Sequence, residues 1–370
     1  MVLDSPRRNN RSIEGGDSSR QRRRLVPWRG TSYLGGVMLL ALLVAACGAT
    51  STPVSSANSA RLKAVLAASP KGFHLANYIQ QAILHNDKLT IYVDYYAPAL
   101  AFAAPLRAGV AEAAKQLGVD ASVVGPTSGT AGGQVSQLET IIAAHQIDGI
   151  AITAASDSAL NPVIAKAYNA GIPVISVNSD DPGSKQMAYV GQQLVPSGQA
   201  AGHELLKLLH GRKGKVVVFS LATGAGWSQS RMQGFMDAVR GAGLDIVGPV
   251  NTGTDPTTGY SAVASTMTGN TNAVAIVSLD CCSLDLAAEW VAQSHLATKP
   301  IVVGFDILAA TKSYIESGVI QATVTQNAPL QGYWAVKDLA EYLLHGTPIH
   351  NVNTGEHIVT SANVRSTAAT

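Results

Sequence analysis

Cysteine is scarce in this chain: 370 residues contain three, and two of these, Cys281 and Cys282, are adjacent. No CxxC pair, HExxH motif or Walker loop occurs, so the common zinc, redox and nucleotide motifs are missing. The GxGxxG fingerprint is absent too, and the nearest stretch to a GxSxG elbow, residues 226–230, lacks its last glycine. These absences speak against the best-known classes of enzyme, and we expect no enzymatic activity, cofactor or metal.

Charge is also sparse, at 14% of residues, and it is unevenly placed. The formal net charge is +2, but eight arginines precede residue 30, where three acids oppose them. Without residues 1–29 the chain has 18 basic and 21 acidic side chains. The basic character therefore belongs to the leader, and it does not indicate nucleic-acid binding by the folded part.

An apolar run at residues 33–46, YLGGVMLLALLVAA, follows these arginines. It is short for a membrane span and is typical of a signal-peptide h-region. Residues 44–47 read Val-Ala-Ala-Cys, which resembles a bacterial lipobox, so Cys47 is the expected lipidation site. An ordinary signal peptide, or a signal anchor with an incidental cysteine, is the alternative. Export would place the remaining two cysteines in an oxidising compartment.

From Lys88 onward, short apolar runs alternate with amphipathic stretches, which predicts βαβ units and parallel sheets. Predicted strands span 89–95, 121–125, 149–153, 172–177, 215–220, 244–248, 273–278, 300–305 and 320–325. Predicted helices span 101–117, 134–145, 159–170, 197–210, 229–242, 257–268, 284–295, 308–317 and 330–345.

The series restarts after Gly191, which indicates an α/β fold of two doubly wound parallel-sheet lobes with a hinge. Ligands of such sheets bind beyond the carboxyl ends of the strands, so we expect a cleft between the lobes. The predicted organisation is a signal peptide (1–46), a flexible tether (47–60), an N-terminal helical segment (61–87), an N-terminal lobe (88–191 and 326–345) and a C-terminal lobe (192–325 and 346–370).

Five segments in register (172–202, 226–235, 302–306, 322–326 and 353–364) resemble the type I periplasmic sugar-binding proteins of ABC transporters, the group that includes ribose-binding proteins. The resemblance covers about residues 88 to 364. It implies the two-lobed fold and a sugar bound in the cleft. It also implies ligand contacts for Arg231, Asp306 and Gln326, which match the family's Arg, Asp and Gln.

The chain departs from the family where specificity is set. The Asn-Pro-Phe-Trp type of motif after the first strand is replaced by DYYAPALAF at residues 94–102, and an Asn-Asp pair is replaced by Leu279-Asp280. The acid after the third strand is Asp157, preceded by Ser156. The ligand-binding candidates are Tyr95, Tyr96, Phe102, Ser156, Asp157, Asn178, Trp227, Arg231, Asp280, Asp306 and Gln326.

These residue types suit a sugar, which presents hydroxyls at its edge and C–H groups on its faces. Carboxylates, amides and a guanidinium bind the edge, and aromatic rings cover the faces. Each candidate also has an alternative. Asp306 and Asp157 are potential helix caps, Arg231 a surface ion-pair partner, and Gln326 a polar interlobe residue.

The aromatic candidates can equally be core residues. Tyr95 and Tyr96 cannot both face the cleft if their strand continues through them, because neighbouring side chains of a strand alternate. A pair of carboxylates for glycoside hydrolysis among Asp157, Asp280 and Asp306 is the enzymatic alternative.

The sequence thus predicts an exported solute-binding lipoprotein at the outer face of the cell membrane or in the periplasm. It would bind a sugar or polyol, act as a monomer and deliver its ligand to an ABC permease, with no nucleic acid as partner. The alternative is a lipid-anchored sugar sensor of the same fold that signals to a receptor or kinase. A repressor is disfavoured because a signal and tether stand where a helix-turn-helix would precede the lobes.

Cys281 and Cys282 follow the predicted strand 273–278 after Leu279 and Asp280, and they start the next helix. One interpretation is two small apolar residues at a helix start. The other is a vicinal disulfide that stiffens the turn and offers a sulfur face to the sugar. Neither a Cys nor a His at chelating spacing accompanies the pair.

Overall fold

The computed structural model describes residues 54–367. The predicted signal peptide and Cys47 lie outside these residues, so export and lipidation remain predictions. Within the described part of the chain, no helix is both long and apolar enough to cross a membrane. All of this part belongs to one compact unit.

Strands form where the apolar runs predicted them, and three further short strands appear. The strands are β1 (Thr90–Tyr95), β2 (Asp120–Val124), β3 (Gly149–Thr153), β4 (Val174–Val177), β5 (Tyr189–Gly191), β6 (Gly214–Ser220), β7 (Leu244–Asn251), β8 (Ala275–Ser278), β9 (Ile301–Phe305), β10 (Ala322–Thr325), β11 (Val352–Asn353) and β12 (His357–Val359). The additional strands β5, β11 and β12 have two or three residues, too few for a periodic pattern.

Helices connect these strands. They are α1 (Ser56–Ala68), α2 (Asn77–His85), α3 (Ala103–Leu117), α4 (Ala131–Ala144), α5 (Asp157–Asn169), α6 (Leu194–Leu209), α7 (Gly226–Val239), α8 (Pro256–Thr268), α9 (Cys281–Gln293), α10 (Ala309–Glu316) and α11 (Ala328–His345). A short 3-10 helix, Val364–Ser366, follows. Helix α1 starts at Ser56, so the flexible tether predicted to reach residue 60 is wrong at its end, where Ser55 caps the helix by accepting from Asn58 N.

Two six-stranded sheets organise the molecule, and we call each sheet with its packed helices a lobe. The first sheet has the order β11-β5-β4-β3-β1-β2 and the second β12-β10-β9-β8-β6-β7. All pairs are parallel except β10 with β12. The predicted fold class, two doubly wound parallel-sheet lobes, is confirmed. Strands β3, β4, β8, β9 and β10 are buried at every residue, as expected when helices cover both faces.

The chain passes between the sheets three times. It leaves the first sheet after β5, returns after β10 to form α11 and β11, and leaves again to form β12. Residues 346–370 were expected in the C-terminal lobe, yet β11 pairs with β5 in the first sheet. The assignment of residues 352–353 is corrected accordingly, because a two-residue strand carries no signal for the sheet it joins.

The N-terminal helices belong to the first lobe. Val65 of α1 and Ile79 and Ile83 of α2 are fully buried in its core. Helix α1 packs against α11, and Arg61 Nε donates to the Leu343 carbonyl at 3.0 Å. The predicted helical segment before β1 is therefore an integral layer of this lobe.

Candidate functional site

A small cavity of about 20 Å³ lies where the carboxyl ends of the two sheets face each other. We call it the inner cavity. It is lined by Tyr95, Tyr96, Phe102, Asn178, Leu221, Trp227, Arg231, Asp280, Cys281, Asp306 and Gln326. Nine of the eleven ligand-binding candidates from the sequence are in this set; Ser156 and Asp157 are not. Leu221 and Cys281 are the lining residues that were not among the candidates.

One wall of the inner cavity is aromatic and comes from the first lobe. The ring centroid of Tyr95 lies 5.1 Å from that of Tyr96 and 5.7 Å from that of Phe102. Strand β1 ends at Tyr95, so the strand alternation that would have separated the two tyrosines stops there and both line the cavity. Burial raises the pKa of both hydroxyls well above its usual value, so both stay protonated and can donate.

Arg231 of α7 faces this wall from the second lobe and is only 2% exposed. Its Nη1 donates to the Leu279 carbonyl at 2.8 Å and its Nη2 to Gln192 Oε1 at 3.1 Å. Its guanidinium carbon lies 4.2 Å from the ring centroid of Phe305 and 5.6 Å from that of Trp227. This burial excludes the surface ion pair considered from sequence, and the planar group is held between rings.

Two buried donors at this cavity have no hydrogen-bond partner among the described residues: Arg231 Nε and Trp227 Nε1. A buried donor without a partner costs free energy comparable to a lost hydrogen bond. Both belong to residues that line the cavity.

Asp306 follows β9 with a φ of +69°, which turns the chain at the strand end. Its carboxylate accepts from Gln326 Nε2 at 2.8 and 3.1 Å. Burial raises the pKa of Asp306 to about 6, while Arg231 and the Gln326 hydrogen bond oppose that rise. Helix α10 begins three residues later with Leu308 as its N-cap, so Asp306 is not the helix cap considered from sequence.

Gln326 connects the lobes through its amide. While its Nε2 donates to Asp306, its Oε1 accepts from Asn178 Nδ2 at 2.8 Å, and Asn178 lies at the end of β4 in the first lobe. Gln331 and Thr354 complete this network: Gln331 Nε2 donates to the Gln326 carbonyl at 3.1 Å and the Thr354 hydroxyl to the same oxygen at 2.8 Å.

This crossing network is the part that sequence reasoning missed. Gln192, Gln331 and Thr354 are all buried, and Gln192 Nε2 donates to the Thr325 carbonyl at 2.9 Å. Two of them directly follow the short strands β5 and β11, which the periodicity did not predict. In the sequence, these residues show only as polar residues beside apolar stretches. That pattern is too common to single them out.

Asp280 lines the cavity, but its oxygens are used within the protein. Oδ1 accepts from Cys282 N at 3.0 Å and Ser283 N at 2.8 Å, as the N-cap of α9. Oδ2 accepts from Leu221 N at 2.9 Å and the Ser283 hydroxyl at 2.7 Å. Four donors occupy the sites a carboxylate offers, so Asp280 positions its neighbours. Burial raises its pKa.

Ser156 and Asp157 lie at the start of α5, away from the inner cavity. Asp157 faces the first residue of α7: a Cβ built on Gly226 would lie 2.2 Å from Asp157 Oδ2. Burial raises the pKa of Asp157 to about 6, and Asp181 adds to that rise. The acid therefore contacts the opposite lobe at the backbone of α7, where the helix N-terminus favours negative charge.

Comparison with known proteins identifies the architecture. Residues 91–347 match the family described as periplasmic binding protein domain. The chain belongs to this family. Within it, the chain is 26% identical to the xylose/arabinose-binding protein XylF of Sulfolobus acidocaldarius over 71% of this chain and 69% of that one. It is 29% identical to the D-ribose/D-allose-binding protein of Pseudomonas aeruginosa over 58% and 70%.

Solved periplasmic binding proteins show the same two-lobed fold. GanP, a glucose-galactose binding protein from Geobacillus stearothermophilus, has a TM-score of 0.69 and 27% identity, over 75% of this chain and 98% of that one. A solute-binding protein of an ABC transporter from Burkholderia graminis, solved with D-arabinose, has a TM-score of 0.71 and 25% identity, over 77% and 98%.

Proposed function

We propose that this periplasmic binding protein binds a sugar or polyol, with aldopentoses the first class to test, in the inner cavity and delivers it to an ABC permease. One observation carries the proposal: aromatic rings from the first lobe face buried polar groups of the second across a small cavity. The aromatic rings of Tyr95, Tyr96 and Phe102 suit the C–H face of a sugar ring, and Arg231 and Asp306 suit its hydroxyls. The relatives named above are xylose/arabinose- and D-ribose/D-allose-binding proteins, and this supports the ligand class.

Closure of the two lobes is the step that would enclose the ligand. The three chain crossings form the hinge, and the amides of Gln192 and Gln326 lie in it. A ligand that contacts Asn178 of the first lobe and Asp306 of the second would favour the closed form through contacts that the open form lacks. The closed protein would then dock on the permease.

Export and a lipid anchor at Cys47 are part of the same proposal. The leader pattern supports them, since an arginine-rich stretch, an apolar run and Val-Ala-Ala-Cys stand in that order. Expression in a bacterium with fractionation and mass spectrometry of the mature N-terminus tests this. A mature protein that begins at a lipidated Cys47 supports the anchor, and processing elsewhere contradicts it.

Titration calorimetry against a panel of aldopentoses, aldohexoses and polyols, with amino acids and nucleosides beside them, tests the ligand class. We expect binding within the sugar panel and strong weakening by Arg231→Met, with thermal unfolding recorded to show that the variant folds. Arg240→Met is the matched control, because Arg240 is exposed and pairs with Asp237 on the surface. Binding confined to amino acids or nucleosides would overturn the assignment.

The proposal includes binding without turnover. Incubation of the protein with its sugar, followed by NMR of the recovered ligand, should return the sugar unchanged. Hydrolysis of a matching glycoside would instead support the carboxylate-pair alternative.

A further inference from the structure

The two adjacent cysteines form part of the wall of the inner cavity. Cys281 and Cys282 are the first two residues of α9, both are free thiols, and their sulfurs lie 3.3 Å apart. Cys281 is 3% exposed and lines the inner cavity. Cys282 is half-buried and faces the other way.

On its outer side, Cys282 lines a second depression between the lobes, which we call the outer groove. Its lining is Ala99, Leu100, Ala101, Gly253, Thr254, Asp255, Pro256, Cys282, Asp285, Leu286 and Leu308. The thiol pair therefore separates the inner cavity from this groove. A reagent that enters the groove reaches Cys282 without entering the ligand site.

A metal site is the competing use of these thiols, because Asp280 and the two sulfurs place three ligand atoms within 4.8 Å of one another. The Asp280 carboxylate already accepts four hydrogen bonds from Leu221, Cys282 and Ser283. Two thiols from neighbouring residues are too few for the four ligands that a structural zinc takes. The chemistry that remains is that of the sulfurs with each other.

We propose that Cys281 and Cys282 are an oxidation site, at which a disulfide-bearing oxidant converts the two thiols into a vicinal disulfide in the wall of the inner cavity. The sulfurs need to approach from 3.3 Å to about 2.05 Å. The oxidant is a small-molecule disulfide or the disulfide of a thiol oxidoreductase. The product is an eight-membered ring that includes the peptide bond between the two residues.

Thiol–disulfide exchange accounts for every atom and electron. Cys282, as thiolate, attacks one sulfur of the oxidant, forms a mixed disulfide and releases the first thiolate. Cys281 then loses its proton, its sulfur attacks Cys282 Sγ, and the second thiolate leaves. Two protein thiols are oxidised, and the oxidant disulfide is reduced to two thiols that take up the two protons.

The order of attack follows from the surroundings of each sulfur. The hydrogen bond to Cys282 and burial raise the pKa of the Cys281 thiol, and the carboxylates of Asp306 and Asp280 add to this. Cys281 therefore stays protonated, while Cys282 is the half-buried thiol at the groove. Once the mixed disulfide exists, the short distance between the sulfurs compensates for the low thiolate fraction of Cys281.

The disulfide ring would change the binding site by disturbing backbone hydrogen bonds near the two cysteines, which are intact while both thiols are free. Cys282 N donates to Asp280 Oδ1 and Leu221 N to Asp280 Oδ2, and Arg231 Nη1 donates to the Leu279 carbonyl. Closing the ring would change the backbone torsions of the two cysteines, and we expect it to weaken the hydrogen bond from Cys282 N to Asp280. Arg231 depends on the Leu279 carbonyl two residues before Cys281, so a backbone change at the pair should shift Arg231 and weaken ligand binding.

Mass spectrometry of the full chain tests the oxidation site without any ligand. The protein is treated with oxidised glutathione, denatured, alkylated and digested so that the pair is separated from Cys47. We expect a peptide about 2 Da lighter than the dithiol that takes up two alkyl groups only after reduction. Cys281→Ser and Cys282→Ser are the controls, because each retains one thiol that cannot form the ring.

Two alkylated cysteines without reduction would overturn the proposal, as would a stable glutathione adduct or a disulfide between two chains. Ligand affinity is the second measurement, and this part rests on the proposed function. The oxidised protein should bind its sugar at least about fivefold more weakly than the reduced protein. The Cys281→Ser/Cys282→Ser double variant should not respond to the oxidant.

The two measurements fail separately. Equal sugar affinity of the oxidised and reduced proteins would overturn the coupling between the disulfide and the binding site. Whether the disulfide forms is decided by the mass measurement alone. A disulfide in a protein that binds no sugar in either state would overturn the proposed function and leave the oxidation site standing.

Discussion

Protonation of Asp306 offers a quantitative test of the binding site. Burial raises its pKa to about 6 in the free protein, and the carboxylate faces the inner cavity. A ligand hydroxyl donates to the ionised form, so binding favours that form and releases a proton below pH 6. At pH 7 the carboxyl is mostly ionised, whereas at pH 5 about one molecule in ten carries the charge, and the apparent Kd should rise about tenfold.

Asp306→Asn should remove this pH dependence and weaken binding at pH 7. The loss of hydrogen bonds to a charged acceptor costs about 1.5–3 kcal/mol, which corresponds to about tenfold or more in affinity. Titration calorimetry between pH 5 and pH 8, in buffers of different ionisation enthalpy, measures both the affinity and the proton released.

Asp285→Asn is the matched control for this experiment. Burial raises the pKa of Asp285 to about 6 as well, but its carboxylate accepts from Thr311 beside the outer groove and does not line the inner cavity. This variant should keep the pH profile of the wild type. A profile that is the same in the wild type and Asp306→Asn, or one that Asp285→Asn abolishes, would refute the reasoning.

Three further predictions concern packing and burial. Gly234→Ala should lower the free energy of unfolding of the second lobe by about 1–3 kcal/mol in chemical denaturation, because the new Cβ would lie 1.9 Å from a backbone oxygen of α6. Gly224→Ala is the control, since a Cβ there would have no atom within 4 Å. Gly226→Ala should reduce ligand affinity, because the Cβ of the new alanine would collide with the Asp157 carboxylate of the opposite lobe. Gly224→Ala is again the control and should bind like the wild type. An unchanged affinity of Gly226→Ala would contradict a closed state with this contact. Burial raises the pKa of Asp94 to about 7, so the folded state keeps this proton to a higher pH than the unfolded state does. The free energy of unfolding should therefore fall by about 3 kcal/mol between pH 4 and pH 7. Asp94→Asn should lose that part of the pH dependence, and an unaltered dependence in the variant would contradict the reasoning.

Local patterns predicted most of the fold. The nine apolar runs all form strands. The central strands β3, β4, β8, β9 and β10 are buried at every residue, so they need apolar residues at consecutive positions, which a local pattern can show. The helices follow from their amphipathic spacing in the same way. The strands β5, β11 and β12 were not predicted, because they are short and owe their conformation to the partner strands that they pair with.

The candidate site was predicted in part. Strand ends were the correct place to look for Asp306 and Gln326, since parallel strands bring their carboxyl ends to one edge, and both line the inner cavity. Arg231 lies inside α7 and was a candidate through the family resemblance. The strand-end rule included Asp157, which contacts the opposite lobe at Gly226 instead. It also treated Asp280 as a free carboxylate, although four protein donors occupy it.

What the sequence determined by itself is the alternation of strands and helices, the two successive sets of βα units and the residue types at the strand ends. These depend on neighbours within a few positions along the chain. Only the tertiary structure decided which side chains share a cavity, which carboxylates are already satisfied, and that the two thiols lie in the wall between the inner cavity and the outer groove. The physical reason is that these properties depend on contacts between the lobes, such as the hydrogen bond from Asn178 to Gln326, whose partners lie 148 residues apart.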